Sequence, residues 1–161
     1  MSEPSLSLLE RREIEARVLG PFLRELEAEI GRERTLALAR KVIEGLAKSS
    51  GAALARELGE TTLRAFSQAV DRWSENDALE IDWIERSDEK LEFNVVRCRF
   101  AELYRALGLA DLGSSLSCRR DFALIDGFNP DIALRRTQTL MEGAPFCDFR
   151  FKRRTETESP Q

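Results

Sequence analysis

The stretch DALEIDWIERSDEKLEFNVVR, from Asp77 to Arg97, decides the fold. Leu79, Ile81 and Trp83 alternate with Glu80 and Asp82. Ser87 to Lys90 supplies a polar turn. Leu91, Phe93 and Val95 then alternate with Glu92 and Asn94. A period of two with one apolar side is the pattern of a half-buried antiparallel hairpin. It predicts paired strands over about 79–86 and 91–97.

Upstream, the period is helical instead. Leu8, Leu9, Ile14, Val18 and Leu19 recur among Glu and Arg, and Gly20-Pro21 reads as a break. Phe22, Leu23, Leu26 and Ile30 make a second stripe, closed by Gly31. Leu36, Ala39, Val42, Ile43 and Leu46 make a third helix to about Lys48, where Ser49-Ser50-Gly51 reads as a breaker. Gly59 ends a shorter piece. Thr61 or Thr62 can cap the next helix, which presents Leu63, Phe66, Val70 and Trp73. Such stripes are core or a subunit seam, so the N-terminal helices also allow self-association.

Downstream, residues 99–107 return to helical spacing through Phe100, Leu103, Tyr104 and Leu107, with Gly108 as the stop. Ser114, Ser115 or Ser117 can cap another helix to about Asp126. Gly127 to Pro130 reads as a turn. A strand over about 134–141 should then pair with one over 146–153. In the latter, Cys147, Phe149 and Phe151 share the apolar side. The fold class is therefore α+β: a helical N-terminal half, then an antiparallel sheet of about four strands, with helices inserted between the second and third. One domain is expected over 1–154, with 5–74 helical and 78–153 carrying sheet and site. The polar tail 155–161 is expected to be disordered.

The chain has 161 residues, 42% hydrophobic and 34% charged, with a formal net charge of −4. That balance gives no basic footprint for nucleic acid. No apolar run is long enough for a membrane span, and the charged N-terminus lacks a signal peptide's apolar core. A cytoplasmic protein with free thiols is expected from three cysteines and no export signal. There is no histidine, so any chemistry falls to thiols, carboxylates and hydroxyls.

All three cysteines lie between Arg97 and Phe151. Cys118 and Asp121 are three apart on one helical stripe with Phe122 and Ile125, which turns a thiol and a carboxylate toward the sheet. A buried carboxylate needs a partner or a proton, and Arg97, Arg120 and Arg136 are candidate partners. Cys147 opens the last strand on its apolar side. Cys98 ends the second strand and opens a helix, where a thiol gains thiolate character. Strict alternation points Cys98 away from the others unless the strand ends or bulges near Val96. If Cys98, Cys118 and Cys147 surround one point, soft thiolates would suit Zn²⁺ or Cu(I). Without a metal, one thiolate can be a nucleophile with Asp121 handling the proton.

The segments CRFAELYRALGLADLG, LSCRRDFALIDGFNPDI and RTQTLMEGAPFCDFR resemble the L-2-amino-thiazoline-4-carboxylic acid hydrolase family. The resemblance is dense over about 91–151. The family pattern falls on Cys98, Glu102, Tyr104, Gly108, Cys118 and Asp121. Further on it falls on Asn129, Pro130, Thr139, Gly143, Cys147 and Phe149. This chain has Phe146 where many members carry His, and Phe100 where many carry Tyr. The resemblance implies a small hydrolase that opens a thiazoline ring to an N-carbamoyl-cysteine. A weaker similarity, to 4-vinyl reductase-type binding domains, covers the Gly143 to Phe149 pattern and implies ligand or metal sensing without turnover.

Together these give a hydrolase acting on an amidine- or thiazoline-like carbon of a small molecule. Cys118 is the candidate nucleophile or metal ligand and Asp121 the candidate acid–base. Cys98 and Cys147 are candidate helper thiols or ligands, with Zn the candidate cofactor. Tyr104, Glu102, Asn129, Gln138 and Thr139 are candidate substrate contacts, and Arg120 or Arg136 could hold a substrate carboxylate. A sensor domain using the same pocket stays open as the alternative. So does a helical interaction protein whose cysteines are only core.

Overall fold

A computed structural model describes residues 6–155. Its first helix, α1 (Leu8–Ile30), opens on a reciprocal cap. Ser7 Oγ accepts from the Glu10 N–H at 3.2 Å, and Ser7 N–H donates to the Glu10 carboxylate at 2.8 Å. The helix does not break at Gly20-Pro21. Gly20 is buried against Leu109, and an added Cβ would lie 2.6 Å from Leu109 Cδ1. That glycine serves a close contact, and the packing around it carries the helix through Pro21.

Gly31, at φ +84°, separates α1 from α2 (Arg32–Leu58). The expected break at Ser49-Ser50-Gly51 is absent for the same reason. Gly51 meets α6 (introduced below): an added Cβ would sit 2.0 Å from the Leu124 carbonyl oxygen. α2 ends at Gly59, in the left-handed conformation. The Thr62 hydroxyl, accepting from the Ala65 N–H at 3.1 Å, then caps α3 (Leu63–Trp73).

The expected hairpin is present as β1 (Leu79–Arg86) and β2 (Lys90–Cys98). The inserted helical region follows: α4 (Arg99–Ala106), α5 (Ala110–Gly113), a π turn over Ser114–Cys118, and α6 (Arg120–Phe128). None of the candidate serines caps α6, because the π turn leads directly into it. Gly127 and Phe128 belong to α6 rather than to a turn.

β3 (Ile132–Arg135) is shorter than the expected strand, and β4 (Cys147–Arg153) closes the sheet in the order β1-β2-β4-β3, antiparallel throughout. β3 stops because Asp148 captures the next backbone donors. Its carboxylate accepts the N–H groups of Thr137 and Gln138, each at 2.9 Å. The tail expected to be disordered lies outside the described residues, apart from Thr155.

Two apolar clusters form. In one, Leu91, Phe93, Val95, Phe149 and Phe151 of the sheet meet Phe66 and Val70 of α3 and Ile125 and Phe128 of α6. Phe93 and Phe149 stack with centroids 4.8 Å apart. In the other, Ala16 and Leu23 of α1 meet Ile43 of α2, Tyr104, Leu112, Leu116 and Met141. Cys98 and Leu140 pack against both clusters. Ile14, Val18 and Phe22 of α1, and Leu38, Val42 and Leu46 of α2, remain more than half exposed. Among the described residues, no helix is long and apolar enough to cross a membrane.

Candidate active site

A cavity of about 640 Å³ opens where the two clusters meet. Its sheet side carries Val95, Cys98, Cys147 and Phe149. The π turn and α6 add Ser117, Cys118, Arg120, Asp121 and Leu124. α1 and α2 close the other side with Arg11, Arg12, Glu15, Leu46, Ser49 and Ser50.

Cys98 reaches the cavity because β2 bulges. Arg97 pairs with Glu80 and Val95 with Ile81, which leaves Val96 as the extra residue. Cys98 also caps α4, its sulfur accepting from the Ala101 N–H at 3.4 Å. Burial nevertheless outweighs that donor and pushes the thiol up to about 11, so the thiolate character expected of a helix start is not realised. Cys118, at the end of the π turn, is pushed higher still, by burial and then by the neighbouring Asp121. Cys147 is raised by burial, against a hydrogen bond from the Leu140 N–H at 3.1 Å. All three are free thiols.

The thiols are near enough that charge on one disfavours ionisation of another. Among the described residues, no group of three or more Cys, Asp or Glu side chains could hold a metal ion. The zinc or copper site that the three cysteines suggested therefore has no ready-made ligand group among the described residues.

Asp121 does find an arginine. Arg136 Nη1 donates to Asp121 Oδ2 at 2.5 Å, and Arg136 Nη2 donates to the Cys118 carbonyl at 2.8 Å. The guanidinium lies between the rings of Phe122 and Phe149, at 5.0 and 4.9 Å. This is the partner that a buried carboxylate was expected to need; Arg97 pairs with Glu102 instead, and Arg120 with Glu15. The Asp121 side chain keeps 23% exposure, while Arg136 keeps 6%. Burial pushes the Asp121 carboxyl above its ordinary range, and the Arg136 charge offsets this only in part. Arg136 is held in the charged form.

Of the sequence candidates, Cys98, Cys118, Asp121, Cys147, Arg120 and Arg136 line this one cavity. Tyr104 lies in the second cluster with 1% exposure, and burial pushes its phenol up to about 12. The others have structural partners outside the cavity. Glu102 pairs with Arg97 at 2.9 Å on the surface. Asn129 joins the Thr61 carbonyl to the Asp131 N–H. Gln138 donates to the Phe146 carbonyl at 3.0 Å. Thr139 caps the turn Leu140–Glu142 through Glu142. Phe146, the family's frequent histidine position, does not line the cavity either, whereas Phe100 does.

Arg11, Arg12 and Glu15 of α1 line the cavity without standing out in the sequence. Their signal was only a run of mixed charge on a helix, which ordinarily means a solvated face.

Residues 11–151 match the L-2-amino-thiazoline-4-carboxylic acid hydrolase family. The chain belongs to that family. No curated protein matches it. The match spans α1 as well as the sheet, so the helices that wall the cavity are part of the family's fold.

Proposed function

We propose that the protein is a hydrolase acting at an amidine- or thiazoline-like carbon of a small molecule, as its family name suggests. The observation that carries this reading is the side-by-side placement of Cys118 and Asp121, with Arg136 fixing the carboxyl, on one cavity. A 2-amino-thiazoline is electrophilic at the carbon between its sulfur and nitrogens, most so as the amidinium cation. Cys118 rests as a thiol and needs a base beside it; Asp121 is that base. Its raised pKa lets it hold the proton between steps.

In the proposed course, Cys118 Sγ attacks the amidinium carbon while its proton passes to Asp121. The ring C–S bond breaks and Asp121 gives that proton to the departing sulfur. The carbon stays on Cys118 as an isothiouronium group. Water adds to it and Asp121 takes one of the water's protons. Cys118 sulfur then leaves and regains a proton from Asp121. The second water proton goes to solvent as the cation becomes a neutral urea. One water is consumed, and the product is an open-chain thiol bearing a urea. Arg136 acts as a positioning residue, holding the Asp121 carboxyl toward Cys118. Self-association through the exposed α1 and α2 residues belongs to the same reading.

The test is single-turnover kinetics on 2-amino-thiazoline-4-carboxylate. Asp121→Asn and Cys118→Ser should each slow the chemical step by roughly a hundredfold or more, the usual scale for losing an acid–base group or nucleophile. Should both variants match the parent, this assignment is wrong. A normal rate in Cys118→Ser alone would mean that water attacks directly with Asp121 as the acid–base group. Binding without turnover by the parent would leave the sensor reading.

A further inference from the structure

The cavity has an end that this chemistry does not use. There Arg12 of α1 and Arg120 of α6 share one carboxylate. Arg12 Nη1 donates to Glu15 Oε1 at 2.8 Å and to Oε2 at 3.0 Å, and Arg120 Nη2 donates to Oε2 at 2.7 Å. Arg120 Nε is anchored on the Leu116 carbonyl at 2.8 Å. The two arginine side chains keep only 17% and 12% exposure, while Glu15 keeps 39%.

Charge counting separates this end from the other. At the thiol end, one guanidinium meets one carboxylate, Arg136 with Asp121. At the α1 end, two guanidiniums of low exposure meet one carboxylate, so among the described residues paired there the cations outnumber the anions by one. Burial, and next the charge of Arg12, push the Arg120 pKa down, against the opposing pull of Glu15. A buried charge is costly unless paired. A ligand carboxylate arriving on the open side of Glu15 would complete the pairing, and guanidinium forks match carboxylates in two-point geometry. Arg136, the other candidate for this task, is already committed to Asp121 and to the Cys118 carbonyl.

We propose that Arg12 and Arg120 form a carboxylate-binding subsite, held open by Glu15, that orients a small acid with its reactive carbon toward Cys118 and Asp121. Acid recognition thus joins α1 to α6, across a Glu15–Arg120 separation of 105 residues. The orientation rests on the proposed hydrolase reading; the subsite itself does not.

The experiment uses two probes that need no turnover: the aromatic analogue 2-aminothiazole-4-carboxylate and its 4-carboxamide. Calorimetric titration of the full chain should show the acid binding roughly 10- to 100-fold tighter than the amide, the range for a charge-assisted hydrogen bond. Arg120→Gln and Arg12→Gln should each remove most of that preference, and Arg120→Lys, which keeps charge but not the fork, should remove part of it. Arg17→Gln, which alters an exposed pair with Glu13, should remove none. Equal affinity of the parent for the two probes, no binding of the acid, or an unchanged preference in both Gln variants overturns the subsite. If one Gln variant does not fold, the other decides. Retained acid preference in a parent that never turns over the thiazoline would sink the hydrolase reading and leave the subsite standing.

Discussion

The two walls of the cavity differ in what they contribute. The wall of β2, β4, the π turn and α6 carries the three thiols and Asp121, which Arg136 joins from the end of β3. The wall of α1 and α2 offers Leu46, Ser49 and Ser50 with the charges of Arg11, Arg12 and Glu15. It can shape and attract a ligand, but among its described groups none is a thiol. In the proposed reading α1 meets the thiol-bearing wall through Arg120 of α6, so the cavity works only if the two walls keep their spacing.

That spacing is the first place to break the comparison, with the largest expected effect. α2 and α6 touch through a pair of glycines. An added Cβ on Gly51 would lie 2.0 Å from the Leu124 carbonyl oxygen, and one on Gly127 would lie 2.0 Å from the Lys48 carbonyl oxygen. Neither oxygen can move without moving a helix. Gly51→Ala should cost about 3 kcal/mol, the upper end of ordinary overpacking, or about 6–12 °C in melting temperature for a chain of this size. Gly45→Ala on the same helix has nothing within 4 Å, and there alanine should stabilise by up to ~1 kcal/mol. Thermal melts of the two variants should move in opposite directions. A neutral Gly51→Ala would mean that the walls are not set by this contact.

A smaller effect separates the walls by pH. On the reactive side, burial raises Cys98 from 9.0 to about 11, and it raises Tyr104 behind it from 10.0 to about 12. Cys118 and Cys147 are also raised. Groups raised on folding hold their protons longer in the native state than in the unfolded chain. Their contribution is fully present below pH 9 and is lost as pH climbs through the folded values. The melting temperature should therefore fall between about pH 9 and 12. Cys98→Ser should flatten part of that fall, while Arg12→Gln on the other wall should not. An identical slope in Cys98→Ser would show that this thiol is not held protonated by burial.

What was legible in the sequence follows the same division. The change from helical to alternating period at Asp77, the approximate ends of β1, β2 and β4 and the inward side of Cys147 could be read because side-chain period reports burial directly, whereas β3 was expected over 134–141 and spans Ile132–Arg135. The inward turn of Cys98 could be stated only as a condition, a bulge near Val96, because a bulge leaves the composition unchanged; β2 has that bulge. The false breaks at Gly20 and Gly51 have one cause. A glycine that admits a neighbour looks the same in sequence as a glycine that ends a helix, and the neighbours, Leu109 and Leu124, are far along the chain. Arg12 and Glu15 stayed unread because an i,i+3 charge pair is ordinary on a solvated helix. Only the arrival of Arg120 from α6 makes them a site.

The smallest expected effect tests whether the family pattern itself can mislead. Glu102 falls on that pattern and was a candidate substrate contact, yet it does not line the cavity. Its carboxylate meets Arg97 at 2.9 Å, and the side chains keep 47% and 54% exposure. Exposed pairs of this kind add little, because water and salt screen the attraction and two long side chains lose freedom to hold it. Arg97 in turn anchors nothing in the cavity. Glu102→Gln should thus shift the melting temperature by no more than about 2–4 °C, and that shift should shrink as salt rises. Single-turnover rates and the acid-over-amide preference should match the parent. A tenfold slower step in Glu102→Gln with an unchanged melt would place reactive machinery outside the cavity, and the division of labour between its two walls would then be wrong.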